Sequence, residues 1–465
     1  RNFDITIEAF TPNIHERDLI REEADFDPTI ISSFETQKSE LDTASDLTTG
    51  GQQQVTSRQV ASIGLAKKTI TGADLSIAFE SVRLSSNSRF NQFDPSHETA
   101  LTFTITQPLL KNFGIDLNKT DIRVATANRD QALKNYETRV LQVVDQVEQT
   151  YWDLVFATAD LDFRKKSLDL AKDLLRRNRI QVEVGTLAPI EILEAEATVA
   201  QREENVIIGE RNVKDREDAL KLILNITDNV PSWRLAISPT EKATFLPIRL
   251  DEMQMTLDAL RRRADIERAR IEVDKQELLL KRARQNLLPQ LDLSASASSN
   301  PTQNNLTNSL DRLSSNKSYS VSGALNFRIP LGNRQAKSDL ERARLQTLQS
   351  LASFNQLEQS IIEEVRRAIR RNRTDQKRID ASRISRRLAE ERLAAQEKKF
   401  RVGLSTSRDI LEDQESLANA LTNETQALVD YNKSLATLGR VSYSSFERLR
   451  IRLEDPRNRA PEPKP

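Results

Sequence analysis

The chain has 465 residues, more than one globular domain usually holds, yet only 37% are apolar and 5% aromatic while 30% are charged, a mixture too thin for one compact core. Lys plus Arg equals Asp plus Glu at 69 each, leaving no net charge to draw nucleic acid, and the absence of cysteine excludes disulfides, thiolate metal sites and a cysteine nucleophile. No run of about 18 apolar residues provides a membrane-crossing helix, so any membrane passage must use strands.

In chain order, a helix over about 1–24 is followed by strands within about 28–107. There Leu101, Phe103 and Ile105 alternate with Thr102, Thr104 and Thr106, a pattern with one apolar and one polar face. Between about Val55 and Leu84, two further strand-like runs around Val60–Ile63 and Leu75–Phe79 flank Thr71-Gly72 and read as an additional hairpin. From about Lys119 to Glu183, Leu133, Val140, Val147, Leu154, Leu161, Leu168, Leu175 and Val182 recur every seven residues, the seam of a helix packed against partners with a left-handed twist. Its length at roughly 1.5 Å per residue is on the order of 100 Å. Gly185-Thr186 breaks this helix and Pro189 suits the first turn of the next. Ile192, Val199, Val206, Val213 and Leu220 continue the seven-residue step, giving a helical hairpin over about 119–224.

A segment over 225–250, broken by Pro231, Pro239 and Pro247, separates this half from a second. That half reads as one helix from about Asp251 to Asn286, strands over about 289–330, and a hairpin over about 333–438. In those strands Tyr319, Val321, Leu325 and Phe327 alternate with Ser320, Ser322, Asn326 and Arg328. The second hairpin turns at Val402-Gly403-Leu404 and carries a looser heptad in Ile410, Leu417, Tyr431 and Leu438. Residues 439–465 read as a short closing segment and a disordered Pro- and Arg-rich tail.

The halves are similar to each other. Arg1-Asn2-Phe3-Asp4-Ile5 and Phe26-Asp27-Pro28 align with Arg262-Arg263-Ala264-Asp265-Ile266 and Leu287-Leu288-Pro289 at an offset of 261. Ile105-Thr106-Gln107-Pro108-Leu109 echoes Phe327-Arg328-Ile329-Pro330-Leu331, and Val184-Gly185 with Ile192-Leu193-Glu194 echoes Val402-Gly403 with Ile410-Leu411-Glu412. The expected organisation is a duplicated unit, with copy one over 1–224 and copy two over 251–438. Copy one is longer by the additional hairpin, so the strand count is four or six. Helix upstream of Arg262 without a counterpart before Arg1 gives the expectation of a trimmed start.

Phe26-Asp27-Pro28, Gln107-Pro108-Leu109-Leu110-Lys111-Asn112-Phe113-Gly114 and the run from Lys399 to Leu411, taken in order, resemble the TolC-like outer-membrane efflux factor family over nearly the whole chain. The resemblance implies an α+β membrane protein of the bacterial outer membrane extending into the periplasm. Three protomers would close one β-barrel, continued by a long antiparallel α-helical barrel. It further implies a homotrimer working with a periplasmic adaptor and an inner-membrane pump, in efflux or type I secretion, without cofactor or metal. By the same resemblance, the turns Val184-Gly185-Thr186 and Val402-Gly403-Leu404 dock the adaptor. Asp409 and Glu412, with Glu191 and Glu194 in copy one, are expected to form acidic rings at the periplasmic entrance. Where the family often carries a basic residue that locks the closed entrance, this chain has Ser405, leaving Arg401, Arg408 or a different device for that role.

Catalysis is not expected. His15 and His97 are the only histidines and lack metal-ligand spacing, and Thr49-Gly50-Gly51 lacks the lysine of a phosphate loop. A coiled-coil rod has no use for amphipathic strands, and a periplasmic adaptor would have one hairpin rather than two. These two stand as the alternatives.

Overall fold

The computed structural model describes residues 2–42, 53–226, 230–314 and 318–458. Thr49-Gly50-Gly51 and residues 459–465 lie outside the described residues. The chain forms two units, one of Ile14–Gln131 with Ile271–Ala352 and the other of Arg1–Asn13, Ala132–Arg270 and Ser353–Pro465. Its main helices are α1 (Phe3–Glu23), α2 (Thr120–Glu183), α3 (Ile190–Leu224), α4 (Glu252–Arg262), α5 (Ala264–Gln285), α6 (Leu306–Ser314), α7 (Arg334–Arg401) and α8 (Ser407–Val441).

The first unit is built on one antiparallel sheet. Its strands are β1 (Thr29–Leu41), β2 (Gln54–Lys68), β3 (Asp74–Ser86), β4 (Ser96–Pro108), β5 (Gln290–Ser299), the two-residue β6 (Thr302–Gln303) and β7 (Tyr319–Arg328), in the order β1-β2-β3-β4-β5-β7 with β6 on β4. Residues directly opposite in an antiparallel pair project to the same side of the sheet. The register runs Ile30 to Leu65 to Ile77 to Phe103 to Ala297 to Val321, and Ser32 to Ile63 to Phe79 to Leu101. One face is therefore an apolar belt. The other carries Ser33, Ser62, Glu80, Thr104, Ser296 and Ser322, with hydroxyl pairs Ser33–Ser62 at 2.8 Å, Ser296–Ser322 at 2.7 Å and Ser298–Ser320 at 2.8 Å. Ile30, Phe34, Ile63, Phe103, Val321 and Phe327 are exposed, so the belt has no cover among the described residues.

The additional hairpin is two full strands of this sheet, β2 and β3, which makes six strands along the path. Sequence reading missed α6, since residues around 306–314 were included among strands. Leu306, Leu310 and Leu313 at helical spacing turn one side of α6 apolar. Ser309, fully buried, joins Thr99 of β4 at 2.8 Å and donates to the Pro301 carbonyl at 2.9 Å.

The second unit is helical. Ala259 of α4 and Ile266 of α5 pack with Ile361, Val365 and Ile369 of α7 and Leu438 and Val441 of α8. Each of the Ile, Val and Leu side chains contributes roughly 1.5–3 kcal/mol relative to exposure. A second cluster joins Ile379 to Ala427 and Tyr431, the latter hydrogen-bonding the Leu246 carbonyl at 2.6 Å and meeting Phe245 edge-on at 5.1 Å. The proline-broken segment is thus pinned to α8 rather than loose.

Two expectations are corrected here. The helix read from Asp251 to Asn286 is two helices, because Arg263 between them takes an extended conformation (φ −65°, ψ 131°) and directs its guanidinium to Asp265 and Glu364, both at 2.7 Å. The tail read as disordered after Glu454 has a 3-10 turn over Pro456–Asn458. There Pro456 is buried and its carbonyl accepts from Asn13 at 3.3 Å.

Candidate entrance and docking turns

Both hairpin turns have one geometry. Gly185 and Gly403 each adopt φ +76°. The N–H of Gly185 bonds the Val182 carbonyl at 3.0 Å and that of Thr186 the Gln181 carbonyl at 2.8 Å. Gly403 to Phe400 and Leu404 to Lys399 repeat this at 3.0 and 2.9 Å. This is the glycine-terminated helix stop in which two otherwise orphaned carbonyls gain donors from a left-handed turn. The space where a Cβ would sit is open at both glycines, so backbone conformation alone selects glycine. Val184, Val402 and Leu404 stand exposed beside it, at 67%, 68% and 77%.

Past the second turn, Thr406 caps α8. Its hydroxyl accepts from the Asp409 N–H, while the Asp409 carboxylate accepts from the Thr406 N–H at 3.0 Å, the Thr406 hydroxyl at 2.9 Å and the Ser405 hydroxyl at 3.1 Å. The Thr406 backbone donor, followed by the two hydroxyls, holds this carboxyl below the usual aspartate range. Asp409 therefore has a capping role that its spacing to Glu412 did not reveal. The signal was present as Thr406-x-x-Asp409, a capping pattern with Asp in place of Glu. Glu412 points to solvent without such ties. In copy one Ala188 stands where Thr406 stands, so Glu191 has no capping partner and one of its buried carboxylate oxygens lacks a hydrogen bond. Glu194 is exposed.

Ser405 is a relay: it receives from Gln396 at 2.8 Å and donates to Asp409, tying the end of α7 to the start of α8. Arg401 and Arg408 are exposed. The buried connections between the hairpins lie elsewhere, on residues that sequence reading passed over. Asn178 of α2, fully buried, donates to the Ser407 hydroxyl at 3.0 Å and the Glu191 carbonyl at 3.3 Å. Arg202 of α3 reaches the Ser167 hydroxyl and the Leu411 carbonyl. Burial draws the Arg202 guanidinium below its ordinary value against the opposing pull of Glu415. Further along, Asp160 accepts from Thr422 at 3.3 Å, Asp153 pairs with Lys433 at 2.7 Å and Asp145 with Arg440 at 3.1 Å. A cleft of about 540 Å³ lies among Asp160, Phe163, Arg164, Arg202 and Glu415. Among the described residues no cluster of His, Cys, Asp and Glu could hold a metal, and no helix is long and apolar enough to cross a membrane.

No curated protein matches the sequence. The fold is similar to that of the CmeC outer membrane channel of Campylobacter jejuni, with a TM-score of 0.70 at 15% identity over 96% of this chain and 83% of that one. It is likewise similar to the outer membrane protein VceC of Vibrio cholerae, with a TM-score of 0.68 at 14% identity over 95% and 93%. The MtrE outer membrane channel of Neisseria gonorrhoeae, in its open state, gives 0.66 at 15% over 95% and 86%. Residues 74–225 and 257–442 match the sequence profile of outer membrane efflux proteins. With that match covering most of its length, the chain is an outer-membrane protein and belongs to the outer membrane efflux protein family.

Proposed function

We propose that the chain is the outer-membrane channel of a tripartite assembly, receiving cargo from an inner-membrane pump and a periplasmic adaptor and making or breaking no bond itself. Three copies close the sheet into one barrel, and the duplicated hairpins continue it as a helical duct. The observation that carries this reading is the sheet: apolar on one face along all six strands, hydroxylated on the other, with both edges unpaired among the described residues. In lipid an open edge is intolerable, and closure on further copies removes it.

At the entrance, Asp409 and Glu412, joined by Glu191 and Glu194, form threefold acidic rings that attract cations. The glycine turns present Val184, Thr186, Val402 and Leu404 to the adaptor. The closed state is held by the Asn178–Ser407 and Arg202–Leu411 bonds, which do the work that a basic residue at position 405 does elsewhere in the family. Opening moves α7 and α8 away from α2 and α3. Chemical crosslinking of the detergent-extracted protein should give a trimer as the largest discrete species. A protein that stays monodisperse without detergent or lipid would sink the reading.

A further inference from the structure

We infer that the barrel wall contains eighteen strands, six from each of three copies, because β2 and β3 are wall strands and not an appendage. The inference rests on the trimeric-duct reading above and deepens it.

Both strands are bonded on both sides. β2 pairs with β1 through thirteen consecutive partners, from Thr29–Ala66 to Leu41–Gln54, and with β3 from Thr56–Ser86 to Lys68–Asp74. β3 in turn pairs with β4 from Asp74–Thr106 to Leu84–Ser96. At 15 and 13 residues they are as long as β1 and β4, at 13 each, and longer than β5 and β7 at 10. A hairpin lying against the outside of a wall would leave β1 bonded directly to β4; here no such pair exists among the described residues.

Their side chains meet the demands of both faces. Ile63, Leu65, Ile77 and Phe79 continue the apolar belt between Ile30 of β1 and Phe103 of β4, while Ser62, Ser76 and Glu80 fall on the hydroxylated face. A one-residue slip would put this set on the wrong side. The free edges that remain are β1 and β7. In a threefold ring the edge of β7 finds its partner in β1 of a second copy, and three such joints close 3 × 6 strands.

Copy two contributes two long strands, β5 and β7, and copy one contributes four. Had copy one kept the smaller plan, the ring would hold 3 × 4. Because diameter grows roughly linearly with strand number, the added pair makes the opening about half again as wide, in the range where barrels leave a broad aqueous channel. The passage through the membrane thereby suits bulky or extended polymeric cargo as well as small molecules.

Two measurements on the whole chain test this, the first in detergent and the second in membranes. Viewed down its axis by electron microscopy, the trimer should show a barrel perimeter about half again that of a variant lacking residues 54–95, in which β1 is left to pair with β4. In the second measurement the chain, free of cysteine, receives the register partners Phe79→Cys and Leu101→Cys. These should form a disulfide within each protomer in membranes, whereas Phe34→Cys with Phe103→Cys, on β1 and β4, should not. The cysteine pairs decide the matter if the deletion variant fails to assemble. A trimer with the narrow perimeter, or efficient bridging of positions 34 and 103, overturns the eighteen-strand wall and leaves the duct reading intact. Absence of any trimer overturns the duct reading itself.

Discussion

Two aspartates on the second hairpin behave oppositely with pH. Asp409 is held below the usual aspartate range by the Thr406 N–H and two hydroxyls, so its contribution to the cap is fully present above the ordinary aspartate value near 3.9 and is lost only as pH falls through the lower folded value. We expect Asp409→Asn with Glu412→Gln to abolish cation block of the reconstituted channel. In the unaltered channel the block should persist well into mildly acidic solution; unchanged block in the double variant would count against the rings. Asp375 of α7 is the reverse case. Burial first, then the neighbouring Asp430, pushes its carboxyl above the usual range despite Arg371 and Arg378, and its Oδ2 is buried without a hydrogen bond. In the acid limit both states are protonated and nothing is gained. Above the raised value the fold carries a charge that it disfavours. Asp375→Asn should therefore raise the melting temperature near neutral pH and leave it unchanged near about pH 3, below the ordinary value; a loss of stability at neutral pH would refute this. The acidic residues past Gly403 were legible as a spaced pair. That one is a cap and the other free depended on Thr406, a backbone relation invisible to spacing between carboxylates.

Among elements, the hairpins were the most legible, because a seven-residue step sustained over several heptads, and in α2 uninterrupted by Gly or Pro, has few other outcomes. Their ends fell within a residue or two of α2, α3 and α7, and the end of α8 lies three residues beyond the expected Leu438. The contacts that join one hairpin to the other were not legible, since Asn178 and Arg202 are polar residues on charged helices and only packing shows that they are buried. Their truncation leaves buried partners unsatisfied, a cost of about 1–3 kcal/mol each. Asn178→Ala and Arg202→Ala should therefore raise the open fraction of single channels in planar bilayers, and Arg202→Lys should rescue little because one ammonium cannot reproduce the two-pronged contact. Closed-channel behaviour equal to that of the parent in both variants would remove these bonds from the gate. At the tip, Gly403→Val forces a β-branched residue to φ +76° at a cost on the order of 1–3 kcal/mol. Adaptor crosslinking at the turn should fall while the bulk melting temperature stays nearly constant. The split between α4 and α5 was missed for a different reason: helix propensity around Arg263 is high, and its contacts with Asp265, Glu364 and the Val441 carbonyl in the extended conformation are visible only in the fold. With desolvation opposing and these carboxylates prevailing, the guanidinium is held above its ordinary value, and Arg263→Ala should lower the melting temperature of the helical unit.

For the molecule as a whole, the sparse hydrophobicity noted at the outset has a structural counterpart. The apolar residues lie in narrow seams along helices and on one face of a sheet, while much of the remaining surface is charged or hydroxylated. Stability should accordingly depend on surroundings more than in a compact protein. Exchange of detergent for buffer should precipitate the chain through its uncovered belt of Ile30, Phe34, Phe103 and Val321.

The serine pairs on the opposite face carry a further implication. Ser33 with Ser62, Ser296 with Ser322 and Ser298 with Ser320 join hydroxyl to hydroxyl, and the same face carries charges of both signs, Glu35, Glu80 and Asp292 with Arg58 and Arg328. Such a lining stays wetted, and each hydroxyl contact with a passing molecule replaces a contact with water of similar strength. With carboxylates and guanidiniums on one wall, neither sign of charge is turned away, and whatever sorting this wall performs falls to those few charged positions rather than to the serines between them.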